Sequence, residues 1–464
     1  MDRPRIALAG TSSFVGAALA EALAPHSDLR ILTRSMARRT PAAGVELRPC
    51  DHFSRGELAA ALQGVDAAVY LVHNHDPSAR LDQARTSDMD LLVADNFAWA
   101  AERAGLKQIL TRAPLLAEPD RPAARNARER MEALAARATP LTVLRTGLVI
   151  GPGGELAKLL ARMVRRLPVI PLPGLAETEL RPLTLAGFLE AVQHCLGNPA
   201  TYGQTFDVFG PEGISLRGML AEAAALQGRT ARIASWPAMP EGLFATLLRL
   251  QQPGLHPDFL AYLLDLLAAG TRGEANAVSD RVAANWTPVR ESLAEAVRSG
   301  GPPTARRHDD EAIRQASRVR SIQRLHLPEH RDAEWVAERY FTWLGTLMRA
   351  FIRTERDADG TWTVRQRPGG LTLLRLEFKP GHSTPDRRLY FITGGALARI
   401  LGGRTARLEF RDLLGGRACM VAIHDFDPAL PWFVYRISQA VMHGLVMKGF
   451  QGHMEQVAEG GPRL

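Results

Sequence analysis

The chain has 464 residues, which predicts two or three domains, and its hydrophobic fraction of 46% is ordinary for a protein with packed cores. The net charge of +8 is carried mainly by arginine, since lysine occurs only at positions 107, 158, 379 and 448. Nucleic-acid-binding surfaces usually combine a basic stripe with interleaved aromatic residues, and this sequence has no such stripe. We therefore expect no nucleic-acid partner.

The cysteine pattern predicts a reducing compartment and no metal site. Cys50, Cys195 and Cys419 are too few and too far apart for a disulfide framework, and no cysteine or histidine cluster has zinc spacing. The chain begins without a signal-peptide pattern and has no apolar stretch of about eighteen residues, the length that predicts a membrane span. We therefore expect a cytoplasmic protein.

The first residues predict a strand, a glycine-containing turn and a helix. The apolar run 6–9 is followed by G-T-S-S-F-V-G at 10–16 and an amphipathic stretch at 17–24. This order places the free N–H groups of a helix N-terminus where they bind a dinucleotide pyrophosphate. The alternative is an ordinary turn between a strand and a helix. The candidate pyrophosphate-binding residues are Gly10, Thr11, Ser12, Ser13, Phe14, Val15 and Gly16.

The second predicted strand, 29–33, ends in Thr33 and is followed by Arg34 and Arg38. At this position of a dinucleotide fold, an acidic residue binds the ribose 2′-hydroxyl, whereas a basic residue accommodates a 2′-phosphate. Arg34 therefore favours NADP(H) over NAD(H). The alternative is that Arg34 is one more surface arginine in an arginine-rich chain.

Strands and helices then alternate, which predicts a parallel, doubly wound α/β sheet. We expect strands at 45–48, 67–74, 107–111 and 141–145, a loop at 77–86, and helices at 54–62, 88–104 and 124–137. Ligands of such sheets bind at the carboxyl ends of the strands. The further candidate cofactor-binding residues are Asp51, His52, Val72, His73 and Thr111, at or near these ends, and Asn96 on the predicted helix 88–104.

Four motifs carry a family resemblance: G-T-S-S-F-V-G (10–16), V-D-A-A-V-Y-L-V-H-N (65–74), N-F-A-W-A-A-E-R-A-G-L-K-Q-I-L (96–110) and T-V-L-R-T-G-L-V-I-G-P-G (142–153). With them, residues 5–230 resemble an atypical short-chain dehydrogenase/reductase of the NmrA-like, NAD(P)H-binding branch. The resemblance implies a Rossmann core that binds NADP(H) and a small substrate lobe over about 180–299.

The resemblance does not extend to the proton-donating Tyr-x-x-x-Lys pair that reducing members of the family typically carry. None of the lysines follows a tyrosine by four residues. The weak catalytic candidates are Thr111, in the position of the family's serine, Arg128 on the following helix, and His73. Two hypotheses remain open. The protein reduces a hydrophobic or quinone-like molecule by another proton route, or it binds NADP(H) as a non-catalytic sensor or scaffold.

The glycine- and proline-containing stretch 300–314 is predicted to link the first domain, 1–299, to a second domain at 315–464. That part alternates as antiparallel strands and closes on a long helix from about residue 431 to 457. This order of elements resembles a smaller α+β fold of the START-like, helix-grip (SRPBCC) type. It implies a curved sheet that grips the last helix over an apolar cavity.

The apolar positions of the last helix are interpreted as core that packs on the sheet. The alternatives are a cavity for a small hydrophobic molecule and a peripheral membrane contact. The sequence leaves the oligomeric state open.

Overall fold

The computed structural model describes residues 3–34, 44–73, 78–116, 120–298, 318–400 and 405–458. The chain forms two compact units: Met1–His73 with Asn96–Thr304, and Asn74–Asp95 with Ala305–Leu464. Residues 74–95 therefore belong to the second unit, although the sequence analysis placed them in a first domain that ran from 1 to 299. The predicted linker 300–314 lies outside the described residues.

The strands are β1 Arg5–Ala9, β2 Asp28–Thr33, β3 Val45–Pro49, β4 Ala67–Tyr70, β5 Leu81–Gln83, β6 Gln108–Pro114, β7 Leu141–Thr146, β8 Val149–Ile150, β9 Ile170–Leu172, β10 Leu183–Thr184, β11 Thr205–Val208, β12 Ile233–Ser235, β13 Val319–His326, β14 Ile352–Arg356, β15 Trp362–Gln366, β16 Thr372–Phe378, β17 Arg387–Gly394, β18 Arg407–Leu413 and β19 Ala418–Phe426.

The α-helices are α1 Phe14–Leu23, α2 Arg55–Leu62, α3 Thr86–Ala104, α4 Pro122–Ala135, α5 Glu155–Arg166, α6 Leu185–Cys195, α7 Leu216–Leu226, α8 Glu241–Gln251, α9 Pro257–Ala269, α10 Ala277–Ala284, α11 Val289–Arg298, α12 Ala333–Leu347, α13 Trp432–Ile437 and α14 Gln439–Ala458.

The first unit is built on a parallel sheet of seven strands in the order β11-β7-β6-β4-β1-β2-β3. The chain starts at β1 in the interior of the sheet, winds outward through β2 and β3, and returns through β4, which pairs with β1 on its other side. This is the doubly wound order of a Rossmann fold, and it confirms the predicted α/β class. The order in which strands are added to the sheet reverses between β1 and β4, and folds of this type bind ligands at that point.

A lobe of the first unit follows β7. Helices α5, α7, α8, α9 and α11 share one apolar core with the short strands β8, β9 and β12. The leucine-rich region 240–269 supplies Leu248, Leu260 and Leu263 to this core. The remaining leucines are not all buried, because Leu243 and Leu250 on α8 are exposed.

The second unit contains a separate eight-stranded sheet in the order β14-β15-β16-β17-β18-β19-β13-β5. Neighbouring strands are antiparallel, except for β5, which pairs in parallel with β13. Two of these strands, β5 and β14, were not predicted, and β5 replaces part of the loop expected at 77–86. The other strands of the sheet match the predicted antiparallel pattern.

Helices α12 and α14 pack on one face of this sheet. Tyr340 and Phe341 of α12 and Phe450 of α14 are buried with aromatic residues of the sheet, and the Phe341 ring stacks on Trp362 at 4.7 Å between ring centres. The predicted long last helix is divided at Ser438 into α13 and α14. Within the described ranges, no helix combines the length and the apolar character that are needed to cross a membrane.

Candidate functional site

The turn between β1 and α1 is shaped by two glycines that tolerate no side chain. Gly10 has a φ of +99°, and a Cβ atom there would lie 2.4 Å from the Leu71 carbonyl oxygen. A Cβ on Gly16 would lie 2.3 Å from the carbonyl oxygen of Gly10. The turn therefore needs glycine at both ends of the predicted motif, which keeps the backbone open for close approach by a ligand.

Ser13 caps α1. Its hydroxyl accepts a hydrogen bond from the Gly16 N–H at 3.0 Å and donates one to the Gly10 carbonyl at 3.3 Å. Ser12 and Ser13 are exposed, Thr11 and Val15 are buried, and the first turn of α1 carries no acidic residue. The positive end of the helix dipole is thus left available for an anion.

The ring of Phe14, the first residue of α1, lies close to Gly154. A Cβ on Gly154, at the start of α5, would lie 3.5 Å from the Phe14 ring. The glycine-rich segment 151–154, which follows β8 in the family-like motif, therefore runs against the residue that opens α1.

Arg34 and His52 lie close together where β2 and β3 end. The Thr33 carbonyl accepts a hydrogen bond from the Cys50 N–H at 2.9 Å, which holds the two strand ends side by side. Arg34 is exposed and His52 is buried. Burial and the charge of Arg34 lower the pKa of His52 to about 4, against an opposing effect of Asp51. His52 is therefore neutral at neutral pH. Arg38 lies outside the described residues.

Asp51 and Asn96 fix the loop that carries His52. The Asp51 carboxylate accepts the Phe53 N–H at 3.1 Å, and the Asp51 N–H donates to Glu57 at 2.9 Å. The Asn96 side-chain amide donates to the His52 carbonyl at 3.1 Å. Asp51, His52 and Asn96 are all buried, so the structure brings these three predicted residues together.

The segment after β4 connects the glycine turn to α4. The backbone of Val72 lies against Gly10, and His73 is exposed. The guanidinium Nη1 of Arg130 lies 2.9 Å from His73 Nδ1. Arg130 is buried, whereas Arg128, which was the predicted candidate on this helix, is exposed. Residues two positions apart on an α-helix point to nearly opposite sides, so Arg130 faces the interior whereas Arg128 faces solvent.

Thr111 lies in the middle of β6, because the strand continues to Pro114 rather than ending at 111 as predicted. Its buried hydroxyl donates a hydrogen bond to the Tyr70 carbonyl at 2.7 Å. This hydroxyl therefore ties β6 to the last residue of β4.

Sequence reasoning missed a contact between Arg112 and Tyr262. Arg112 on β6 donates from Nε to the Thr146 hydroxyl at 2.7 Å and from Nη2 to the Tyr262 phenol at 3.3 Å. The phenol donates to the Thr146 carbonyl at 3.2 Å. Burial raises the pKa of Tyr262, and the charge of Arg112 opposes part of the rise. Tyr262 belongs to the leucine-rich region 240–269, whose pattern predicts core or the rim of a substrate pocket without pointing to this tyrosine.

Helix α9 holds this tyrosine in place through Asp265, one turn further along. Asp265 is buried and accepts the Ala123 N–H, in the first turn of α4, at 3.1 Å. The same helix thus caps α4 and delivers Tyr262 to the ends of β6 and β7. The Tyr262 hydroxyl is thus held between the Arg112 guanidinium and the Thr146 carbonyl, at the ligand-binding edge of the doubly wound sheet.

No model of a known protein family matches the chain. A segment of 109 residues, 23% of this chain, is 27% identical to the auxiliary protein GraX of Staphylococcus aureus. This match spans only 36% of the length of that relative.

Solved structures resemble the chain over its larger part. A nucleoside-diphosphate-sugar epimerase from Staphylococcus aureus aligns with 64% of this chain and 100% of its own, at 18% identity and a TM-score of 0.50. A triphenylmethane reductase from Citrobacter sp., solved with NADP(H), aligns with 63% of this chain and 99% of its own, at 17% identity and a TM-score of 0.50. At these identities the likeness shows a shared epimerase/reductase fold.

Proposed function

We propose that the first unit binds NADP(H) and reduces a hydrophobic or quinone-like molecule. The observation that carries the proposal is the turn at Gly10 and Gly16, which excludes side chains at both ends and leads into an open helix N-terminus. Together with a cation at the end of β2, this is the arrangement that holds a dinucleotide phosphate group. The triphenylmethane reductase with the same fold was solved with NADP(H), which supports the proposal.

The residues present suit each part of this cofactor. The backbone of 10–16 would hold the pyrophosphate, and Arg34 would pair with the 2′-phosphate. A guanidinium binds a charged phosphate more strongly than it binds the 2′-hydroxyl of NAD(H). The neutral His52 and the loop fixed by Asp51 would border the adenine. His73, with Arg130 behind it, would lie toward the nicotinamide half.

When bound, the reduced cofactor supplies a hydride to an electron-poor carbon of the acceptor. This chain then has to supply the proton that balances the new charge on the acceptor oxygen. We propose that the Tyr262 hydroxyl gives this proton and that Arg112 stabilises the phenolate that remains. Solvent then returns a proton to the phenolate. Quinone-like and conjugated acceptors suit this site, because they need less acid assistance than simple ketones.

A non-catalytic NADP(H)-responsive sensor is the second candidate function. The observation that favours it is that the Thr111 and Tyr262 hydroxyls both donate to backbone carbonyls, those of Tyr70 and Thr146, whereas a catalytic hydroxyl has to donate to the substrate. In that case the cofactor would change the state of the protein without a chemical step.

We propose that the second unit is a helix-grip domain, with an affinity for small apolar molecules between its sheet and α12 and α14. The antiparallel sheet with α12 and α14 packed on one of its faces supports the fold part of this proposal. Cys50, Cys195 and Cys419 are buried and form no disulfide, which supports the cytoplasm as the compartment of the protein.

Fluorescence titration with NADPH tests the cofactor proposal. We expect Gly16→Ala to weaken binding by roughly tenfold or more, because its Cβ collides with the Gly10 carbonyl. Gly242→Ala is the matched control, since a Cβ there, on the exposed side of α8, meets no atom within 4 Å. Absence of binding by the unaltered protein would refute both candidate functions.

Consumption of NADPH against a panel of quinones and conjugated carbonyl compounds separates the two candidates. The reductase proposal predicts turnover with at least one quinone. Saturable NADPH binding without turnover of any acceptor would favour the sensor.

A further inference from the structure

Helix α14 is apolar on two opposite faces, and only one of them packs against its own unit. Ala440, Met447 and Phe450 are buried in the core beneath the helix. Val441 and Leu445, on the opposite side, are 53% and 59% exposed. A helix that is apolar on all sides usually lies in a protein interior. The exposed apolar face of α14 has no packing partner within its own unit.

The short helix α13 continues this apolar surface. Phe433 and Ile437 are 70% and 71% exposed, which makes them the most exposed large apolar side chains of the described chain. Phe433 and Ile437 lie four residues apart on α13, and Val441 and Leu445 lie four residues apart on α14, which is the spacing of neighbours on a helical surface. We call the exposed residues of α13 and α14 the outer patch; it consists of Phe433, Ile437, Val441, Met442 and Leu445.

The segment that carries the outer patch has charges of one sign. From 428 to 454 the sequence contains no aspartate or glutamate, while Arg436 and Lys448 are both exposed. His443, the histidine between them, is nearly buried, and its Nε2 lies 2.9 Å from the Ser321 hydroxyl. Exposed apolar side chains next to cations match a surface in which anionic groups cover a hydrocarbon layer. The apolar side chains contact the hydrocarbon, and the cations pair with the anionic groups.

We propose that the outer patch docks on the surface of an anionic lipid bilayer. The apolar side chains enter the boundary between headgroups and acyl chains, and Arg436 and Lys448 lie against lipid phosphates. Helices of this kind lie in the plane of the interface. The proposal concerns the second unit and does not depend on the function proposed for the first.

The charge pattern favours a bilayer over a second copy of the chain. A twofold interface presents the same patch from both copies. It would therefore bring Arg436 and Lys448 of each copy toward those of the other, with no acidic residue from 428 to 454 to offset them. Lipid phosphates supply the missing negative charge.

Flotation of the full chain with vesicles tests the proposal. We expect binding to vesicles of phosphatidylcholine and phosphatidylglycerol at 3:1, by weight, at low salt, and much weaker binding to phosphatidylcholine alone. The triple variant Phe433→Ser, Ile437→Ser, Leu445→Ser should lower partitioning by roughly a hundredfold or more, because each substitution removes an apolar side chain that the bilayer would bury. The pair Arg436→Glu and Lys448→Glu should lower binding to the anionic vesicles by roughly tenfold.

The double variant Leu347→Ser and Phe351→Ser is the matched control. These side chains are 56% and 67% exposed but lie outside the outer patch, at the end of α12 and just before β14, so vesicle binding should stay unchanged. Melting temperatures show whether the variants remain folded. Two outcomes would overturn the proposal: equal vesicle binding by the triple variant and the unaltered chain, or a dimer in light scattering that the triple variant dissociates.

Discussion

The guanidinium of Arg112 and the phenol of Tyr262 lie within 3.3 Å of each other, although 150 residues separate them in sequence. Arg112 is held on β6 by the Thr146 hydroxyl, and Tyr262 is brought to it by a helix of the lobe. A tyrosine and a cation are also the two groups that the Tyr-x-x-x-Lys pair of typical family members combines. The protein thus brings the same types of group together from two distant elements.

We predict that Tyr262→Phe lowers kcat for quinone reduction by roughly a hundredfold, the usual contribution of a general acid. The substitution keeps the ring in the lobe and removes only the hydroxyl. The affinity for NADPH should therefore remain unchanged in a fluorescence titration. A fall in kcat with KM and NADPH affinity preserved is the result that a proton donor requires.

Tyr202→Phe serves as the control, since Tyr202 lies at the end of a short turn after α6 and has no place in the site. Equal rates for Tyr262→Phe and the unaltered protein, in steady-state assays across the quinone panel, would exclude Tyr262 as the donor.

Arg34 should determine the choice between the two nicotinamide cofactors. We expect Arg34→Asp to weaken NADPH binding by roughly ten- to a hundredfold, because a charge-assisted bond to the 2′-phosphate is replaced by repulsion. NADH lacks that phosphate, so its affinity should change little. Paired titrations with NADPH and NADH measure the ratio.

Arg249→Asp, an equal change of charge at an exposed position of α8, controls for the net charge of the protein. If Arg34→Asp weakens both cofactors to the same extent, the arginine does not discriminate between them.

The glycine turn and the doubly wound sheet were predictable because their signals are local. A buried strand, a turn that needs Gly10 and Gly16, and an amphipathic helix follow one another within twenty-four residues. Arg112 with Tyr262 was not predictable, since each residue is unremarkable in its own segment and only tertiary packing brings them together. The distinction between Arg128 and Arg130 also required the structure, because it depends on which face of α4 is buried.

The strand β5 shows a second limit of sequence analysis. Leu81–Gln83 has three residues, too few for a periodic signal, and its partner β13 lies far downstream. The outer patch shows a third. Both faces of α14 are apolar, so the pattern could not indicate which side packs on the sheet, and the interpretation of the whole helix as core was correct for only part of it.

A buried network of charges in the second unit gives a stability prediction. Arg411 is 1% exposed and lies 2.7 Å from Asp95. Arg411 also contacts Glu409. Burial would raise the pKa of Glu409, but the charges of Arg387 and Arg411 outweigh this effect and hold that pKa well below its usual range. We expect Asp95→Ala to lower the free energy of unfolding of this unit by about 3 kcal/mol, because it leaves a buried guanidinium with one partner fewer.

Urea denaturation followed by tryptophan fluorescence measures this loss. Glu355→Ala is the comparison, since Glu355 pairs with Arg353 and Arg365 on an exposed part of the sheet and such pairs contribute about 1 kcal/mol or less. Similar losses for the two variants would mean that the buried pair contributes no more than a surface one.

Asp412 should make the stability of the second unit depend on pH. Burial and the nearby Asp332 and Asp386 raise its pKa to about 7, although the Ala333 N–H donates to its carboxylate at 2.9 Å and opposes the rise. The folded state therefore holds a proton that the unfolded chain loses near its ordinary pKa of about 4. The contribution of this group is complete below that value and is lost as the pH rises toward 7.

Asp412→Asn should retain an acceptor for the Ala333 N–H and remove the titration. We expect the variant to be more stable than the unaltered protein at pH 7 and to lose this advantage as the pH falls toward 4. His443, whose pKa burial lowers to about 4, acts in the opposite direction, since its neutral form stabilises the fold and is lost in acid. Because both proteins contain His443, the difference between their melting temperatures across pH isolates Asp412. A difference that stays constant from pH 4 to 7 would show that this carboxyl does not titrate within the range.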